Sequence, residues 1–354
     1  MKIFTWDPYS GQTYDSSYGS QTCAGDNTVS FSKFNAPFTM NAKGETLLLK
    51  QNTKVNDRTT VMWNAKNYDR DLDFIIENGS LKIDFQNNTD EFDIQPTFTL
   101  EDPFPATTTV RDYFEIRNVN LLSIRSTHFN LRGTGRFEAN NTTYIYLGTA
   151  LSSPNNTKPV TIFDSSSMVL NSSSIISLNS VSVVSDNKVA ALSCITQTVI
   201  IEQTFITSGE SKVRMRAEEL IFDSSGVPSL MACKQNSQTT LNLGAIVLNT
   251  GTFQVSDNSI LTLNSINSTP LFDFDSNVYP KKMFDFILNS PTAKDNKATI
   301  YFSAVVFNAF ILSDLISKLV ITVNGDDAYL KVQQFKYTNE GKNKFSLSIE
   351  FYKT

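Results

Sequence analysis

Ile176-Ser-Leu-Asn-Ser180, followed by Val184-Ser-Asp-Asn187, returns later in the chain as Ile246-Val-Leu-Asn-Thr250, followed by Val255-Ser-Asp-Asn258. The first halves are offset by 70 residues and the second by 71, so one inserted residue separates two parallel phrases. The apolar spacing continues beyond them, with Val189 and Leu192 falling opposite Ile260 and Leu263. Other phrases recur too: Ile162-Phe-Asp-Ser165 as Ile221-Phe-Asp-Ser224 and, more loosely, Asp273-Phe-Asp-Ser276. Val189-Ala-Ala-Leu-Ser-Cys194 has its counterpart in Val227-Pro-Ser-Leu-Met-Ala-Cys233. These offsets are compatible with units of roughly 30 to 40 residues, two of them fitting within the longer offset, although no rigid repeat code is present.

Inside the units the period is two. Thr240 to Asn249, Thr252-Phe-Gln-Val255 and Ile260-Leu-Thr-Leu263 are short β-branched or alternating runs stopped by Asn, Ser, Gly or Asp. Asp73–Ile76, Leu81–Phe85, Tyr113–Ile116, Leu121–Ile124, Tyr144–Leu147, Val213–Met215 and Leu220–Phe222 read as strands in the same way. Three such strands with their turns consume about one unit, which is the geometry of a parallel β-helix. The triplet Leu-Asn-Ser/Thr, beginning at Leu170, Leu178, Leu248 and Leu263, suits its corners, because Asn tolerates the left-handed backbone and stacked amides can form ladders. A β-sandwich with Asn in its hairpin turns is the alternative fold. Apart from Asn78-Gly79, however, the middle region lacks the Asn-Gly and Asp-Gly pairs of tight hairpins.

On the two Val-Ser-Asp-Asn copies, Ile162-Phe-Asp-Ser165 and the Leu-Asn-Ser/Thr turns, the region from about Leu72 to Asp275 resembles the right-handed β-helix proteins that include pectate-lyase-like enzymes, phage tailspikes and some adhesins. No catalytic signature of those families accompanies the likeness. The expected organisation is an N-terminal capping or anchoring region over residues 1–70, a β-solenoid over 71–280 and a C-terminal cap or oligomerisation domain over 281–354. In the last of these, Ala309 to Leu319 has helical spacing, Leu319–Val323 and Tyr329–Val332 flank Asn324-Gly325 as a hairpin, and Phe345–Phe351 alternates.

Composition narrows the function. A net charge of -5 supplies no basic field for nucleic acid, and charged residues make up only 18% of the chain, with Ser, Thr and Asn taking over the polar role. No run of about 18 apolar residues occurs, so membrane insertion is not expected. The opening MKIFTWDPYSGQTYDSSYGSQ has no apolar stretch, and the expectation is synthesis without a classical signal peptide. Cys23, Cys194 and Cys233 show no metal spacing and read as small apolar residues, while the single His128 cannot build a multi-histidine centre. Gly133-Thr-Gly135 lacks the remainder of a dinucleotide loop. No cofactor and no metal are expected.

Two constellations could carry chemistry. Stacked aspartates, Asp164 with Asp223 and Asp275 or Asp186 with Asp257, could supply the acid and base of glycan hydrolysis, but Asp before Ser-Ser or Asn is equally a turn residue. Arg125, Arg132, Arg136 and Glu138, near His128, Phe129 and Phe137, form a candidate ligand-binding set through planar hydrogen bonding and stacking. A solvated strand face explains the same residues. The combined expectation is a non-enzymatic structural or receptor-binding component of a phage or phage-like particle, on the virion or an extracellular particle surface, with no catalytic residue assigned. Its expected partners are itself as a homotrimer, other particle proteins and a cell-surface glycan. A polysaccharide lyase or glycoside hydrolase and a secreted adhesin are the alternatives.

Overall fold

The computed structural model describes residues 2–7, 10–25, 37–51, 60–63, 73–84, 91–94, 97–101, 113–124, 129–132, 135–148, 160–162, 166–186, 189–223, 228–248, 251–267, 271, 281–287, 298–303, 314–327, 334–339 and 344–350. The chain is mainly β. Among the described residues helix is confined to a 3-10 turn at Ser16–Tyr18 and one short turn at 314–317. The chain divides into two compact units, one of residues 1–181 and 189–196, the other of 182–188 and 197–354.

In the first unit, Gln12–Asp15 and Gln21–Gly25 lie parallel to Phe38–Gln51, which lies parallel to Asp73–Asp84. The ladder proceeds in the same sense through Tyr113–Arg117, Arg136–Leu147, Ser167–Leu178 and Ala191–Ile195. Register therefore stacks Leu47, Leu81, Phe114, Phe137, Met168 and Leu192, all fully or almost fully buried. Two positions along each strand, Leu49, Ile83, Ile116, Ala139, Leu170 and Cys194 form a second buried row. Since side chains alternate across a strand, these rows are the interior and the residues between them face out. Two further parallel ladders follow around the chain, Leu122 on Ile145 and Leu100 on Leu131 on Ile162.

Polar corners separate the ladders. Asn118 and Asn141 both adopt the left-handed backbone, with φ of 60° and 53°. Asn141 donates to Asn118 Oδ1 at 2.7 Å and Asn118 to Asp84 Oδ1 at 2.8 Å, so one amide per turn passes a hydrogen bond along the stack. The expected Leu-Asn-Ser/Thr corners behave differently. Asn171 lies within a strand and bonds Asn140, and in Leu178-Asn-Ser180 the left-handed residue is Ser180. At the start of the unit, Phe4 meets Tyr14 and Tyr18 edge-on, and Trp6 packs 5.2 Å from Phe38.

The second unit repeats the principle. Thr204–Gly209, Leu230–Cys233, Thr252–Ser256, Phe284–Ile287 and Ile321–Val323 form one parallel ladder that stacks Phe205, Met231, Phe253, Phe284 and Ile321 in the interior. Lys212–Phe222, Gln238–Leu248, Ile260–Ser265 and Thr299–Ser303 form another. Antiparallel pairing enters at the end, where Lys344–Glu350 joins Thr299–Ser303 and Gln334–Asn339 pairs with Lys344–Glu350. Asn324-Gly325 closes the hairpin of Ile321–Val323 with Asp326–Asp327, both turn residues having positive φ, as a two-residue loop of this composition requires.

Two details depart from the sequence pattern. Val255 is fully buried, but its counterpart Val184 is half-buried, because Val181, Ser182 and Val183 are all buried and the alternation slips within that strand. The 71-residue offset also spans three steps of ladder rather than two, from Val181–Ser185 through Thr204–Gly209 and Leu230–Cys233 to Thr252–Ser256. Steps such as Met231 to Phe253 are shorter than the expected unit.

Burial fixes the chemistry of the thiols. Cys194 and Cys233 are buried and Cys23 is partly so, and all three are unpaired. Desolvation raises the Cys194 thiol to about 12 and raises Cys233 as well, against the opposing hydrogen bonds of Thr239 and Thr207. A thiol that ionises near 9 when unfolded and near 12 when folded leaves stability intact below pH 9. That stability is then lost as the pH rises toward 12, by about 1.4 kcal/mol per pH unit for Cys194. Urea midpoints at pH 8, 9.5 and 11 will therefore fall, and Cys194→Ala will shallow the fall. An unchanged slope in that variant would show that Cys194 ionises freely in the folded chain.

Candidate functional site

The outward face of the first unit carries a charged cluster built by register. Lys82 is the direct cross-strand neighbour of Glu115, and Glu115 of Glu138, so three charged side chains follow one another across adjacent strands. Two residues along, Asp84, Arg117 and Asn140 do the same. The cluster is closely interlocked. Arg136 pairs with Glu138, Lys82 lies 3.7 Å from Glu115, and the Arg117 Nε lies 3.3 Å from Asp84.

At its centre the Asn140 amide nitrogen donates to Glu115 Oε1 at 3.2 Å and to Glu138 Oε2 at 3.1 Å. Its oxygen accepts from Asn171 at 2.7 Å. Glu115 and Glu138 are only 9% and 8% exposed, whereas the Lys82, Arg117 and Arg136 side chains remain about a third exposed or more. Two carboxylates on neighbouring strands would repel each other. Their separate cations and the shared amide offset that repulsion.

Of the four residues expected to bind a ligand, the structure brings Arg136 and Glu138 into contact. Arg132 ends the strand Phe129–Arg132 opposite Glu101 on the neighbouring strand, and Arg125 and His128 lie outside the described residues. Sequence reasoning missed Glu115 and Asn140. The signal was available in Phe114-Glu-Ile-Arg117 against Phe137-Glu-Ala-Asn140, a repeated Phe-Glu whose phenylalanines stack inside and whose glutamates meet outside.

Asp257 occupies a turn, Asp186 a bend, and Asp223 directly follows the strand Lys212–Phe222. Asp257 is left-handed, at φ 57°, and its carboxylate accepts from the Gln235 amide at 3.1 Å and the Ser256 hydroxyl at 2.9 Å. Asp186 and Asp223 are exposed. Asp164 and Asp275 lie outside the described residues, as does Gly133-Thr134. Among the described residues no group of three His, Cys, Asp or Glu side chains is placed to hold a metal, and no helix is long and apolar enough to cross a membrane.

The shared amide gives the cluster a test. Asn140→Asp would set a third carboxylate between Glu115 and Glu138, and should lower stability at pH 7 by about 1–3 kcal/mol. The penalty should shrink toward pH 4, because the neighbouring carboxylates make the added group take up its proton above the 3.9 of an unfolded aspartate. Denaturant midpoints at the two pH values check this, and an equal penalty at both would assign the loss to packing instead of charge.

No family model, curated protein or solved structure matches the chain.

Proposed function

We propose that each unit is a stretch of parallel β-solenoid and that the chain is a non-enzymatic structural or receptor-binding component of a phage-like particle, assembling as a homotrimer and contacting carbohydrate. The observation that carries this reading is the succession of parallel ladders in both units, with corners in the first whose asparagines bond from one turn to the next. Parallel neighbours support the solenoid over a sandwich built from hairpins. The commitment of most of the charge in the Glu115–Glu138 cluster to internal pairs supports a structural role for that face. Sedimentation of the purified chain, with probing of intact particles from the source culture, tests the reading. A trimer that travels with particles is expected, and a monomer absent from them would refute it.

One observation favours a second reading, glycan cleavage: Glu115 and Glu138 both reach a single amide nitrogen and so stand as a close carboxylate pair on adjacent strands. Incubation with surface polysaccharide, followed by chain-length analysis, separates the two readings. Turnover that disappears in Glu115→Gln or Glu138→Gln, with folding retained, would establish the enzyme.

A further inference from the structure

In the second unit, the outward side chains of Leu230–Cys233, Thr252–Ser256 and Phe284–Ile287 border an open groove of about 410 Å³, within the size range of small-molecule sites. Its wall is mixed, polar at Thr252, Gln254, Lys282 and Asp285 and apolar at Pro228, Leu230 and Ile287. Asp285 is the fixed point. Only 7% exposed, it accepts through Oδ1 from the Thr322 hydroxyl and from the Gly325 amide, each at 2.8 Å. Those two bonds set the plane of the carboxylate, and Oδ2 takes no hydrogen bond from the described residues. A carboxylate held through one oxygen keeps the other available as an acceptor.

Its surroundings supply the complementary groups. Gln254 is the direct cross-strand neighbour of Asp285, so its amide stands on the next strand at the same level. Lys282 occupies a left-handed turn, with φ 58°, and its backbone amide donates to Leu319 O. Its ammonium lies 3.1 Å from the point where a β-carbon on Gly325 would sit, so the missing side chain there leaves the cation room beside the hairpin. The groove thus offers one anionic acceptor, one cationic donor, amides that do both, and a half-buried leucine. An acidic ligand would gain Lys282 and be repelled by Asp285, and a basic one the reverse. Vicinal hydroxyls, each donating and accepting, satisfy both, and the C–H face of a sugar ring suits Leu230.

We propose that this groove binds a neutral hexopyranosyl unit of a polysaccharide, an assignment that rests on the carbohydrate-contact part of the function proposed above. The test is saturation-transfer NMR on the full chain with the methyl glycosides of glucose, galactose and mannose, and with galacturonate as the acidic comparison. Transfer to at least one neutral glycoside is expected, with Kd raised about tenfold in Asp285→Asn, which keeps an acceptor for Thr322 and Gly325 but loses the charge. Gln254→Ala alters a half-exposed side chain and carries the test if Asp285→Asn fails to fold; it should also weaken binding. No transfer to any neutral glycoside, affinity unchanged in both variants, or tighter binding of galacturonate would each overturn the assignment. Failure to travel with particles would refute the assembly reading alone, leaving the groove result standing.

Discussion

Gly209→Ala should destabilise the chain by more than about 4 kcal/mol, the range reached only when a substitution forces the backbone to move. Gly209 has φ +67°, and a β-carbon added to it would lie 1.4 Å from the carbonyl oxygen of Ser185. No rotamer relieves that contact, because both partners are backbone. The same carbonyl accepts from the Glu210 amide at 3.3 Å, so a shift large enough to admit the methyl also breaks a bond between turns. Gly44 is the control: at φ +79° it is equally left-handed, yet nothing lies within 4 Å of its β-position. Gly44→Ala should cost only the conformational penalty, about 1–2 kcal/mol. Urea unfolding of the two variants separates close approach from backbone preference, and equal losses would refute the clash.

Phe253→Ala should cost about 3–5 kcal/mol. Phe253 is wholly buried in the interior row of the second unit, edge-on to Phe222 with centroids 4.9 Å apart and stacked on Phe284 at 5.7 Å. Removing the ring deletes contacts on two successive levels, and the ladder hydrogen bonds keep the backbone from collapsing into the space. Phe253→Leu, which restores most of the volume, should lose less than about 1.5 kcal/mol. Gly251 belongs to the same arrangement, since a β-carbon there would lie 2.2 Å from the Phe222 ring. If Phe253→Ala and Phe253→Leu lowered the urea midpoint equally, the cavity account would fail.

The strands were legible because their signal is local. Tyr113–Ile116 falls on its strand almost residue for residue, while Leu81–Asp84, Tyr144–Leu147 and Leu220–Phe222 form the last residues of longer strands and Phe85 lies outside the described residues. The number of steps within an offset was not legible. Recurrent phrases such as Val-Ser-Asp-Asn mark turns of similar shape but do not say how many lie between two copies. The candidate site was half legible for the same reason: Arg136 and Glu138 are close in sequence, whereas Glu115 reaches them only through the register that sets Phe114 on Phe137. The asparagine corners were anticipated as a chemistry and only partly as positions: Leu178-Asn-Ser180 makes a corner, Asn171 and Asn264 lie within strands, Asn249 lies outside the described residues, and left-handed asparagines fall at Asn118 and Asn141.

The Asp84–Asn118–Asn141 chain has a direction. Each amide donates toward the amino-terminal side, Asn118 accepts from Asn141 on its carboxy-terminal side, and the series ends on a carboxylate that can only accept. Each asparagine is thus an interchangeable link. Excising residues 118–140 would join Arg117 to Asn141, bring Asn141 opposite Asp84 and put Ile145 where Leu122 had been, so that both ladders close again without a mismatch. Cutting out one residue fewer would turn the inside of the next strand to solvent. Cooperative unfolding of the first deletant and its loss in the second would show that the length of this chain is quantised, gained and lost in whole links and never in single residues.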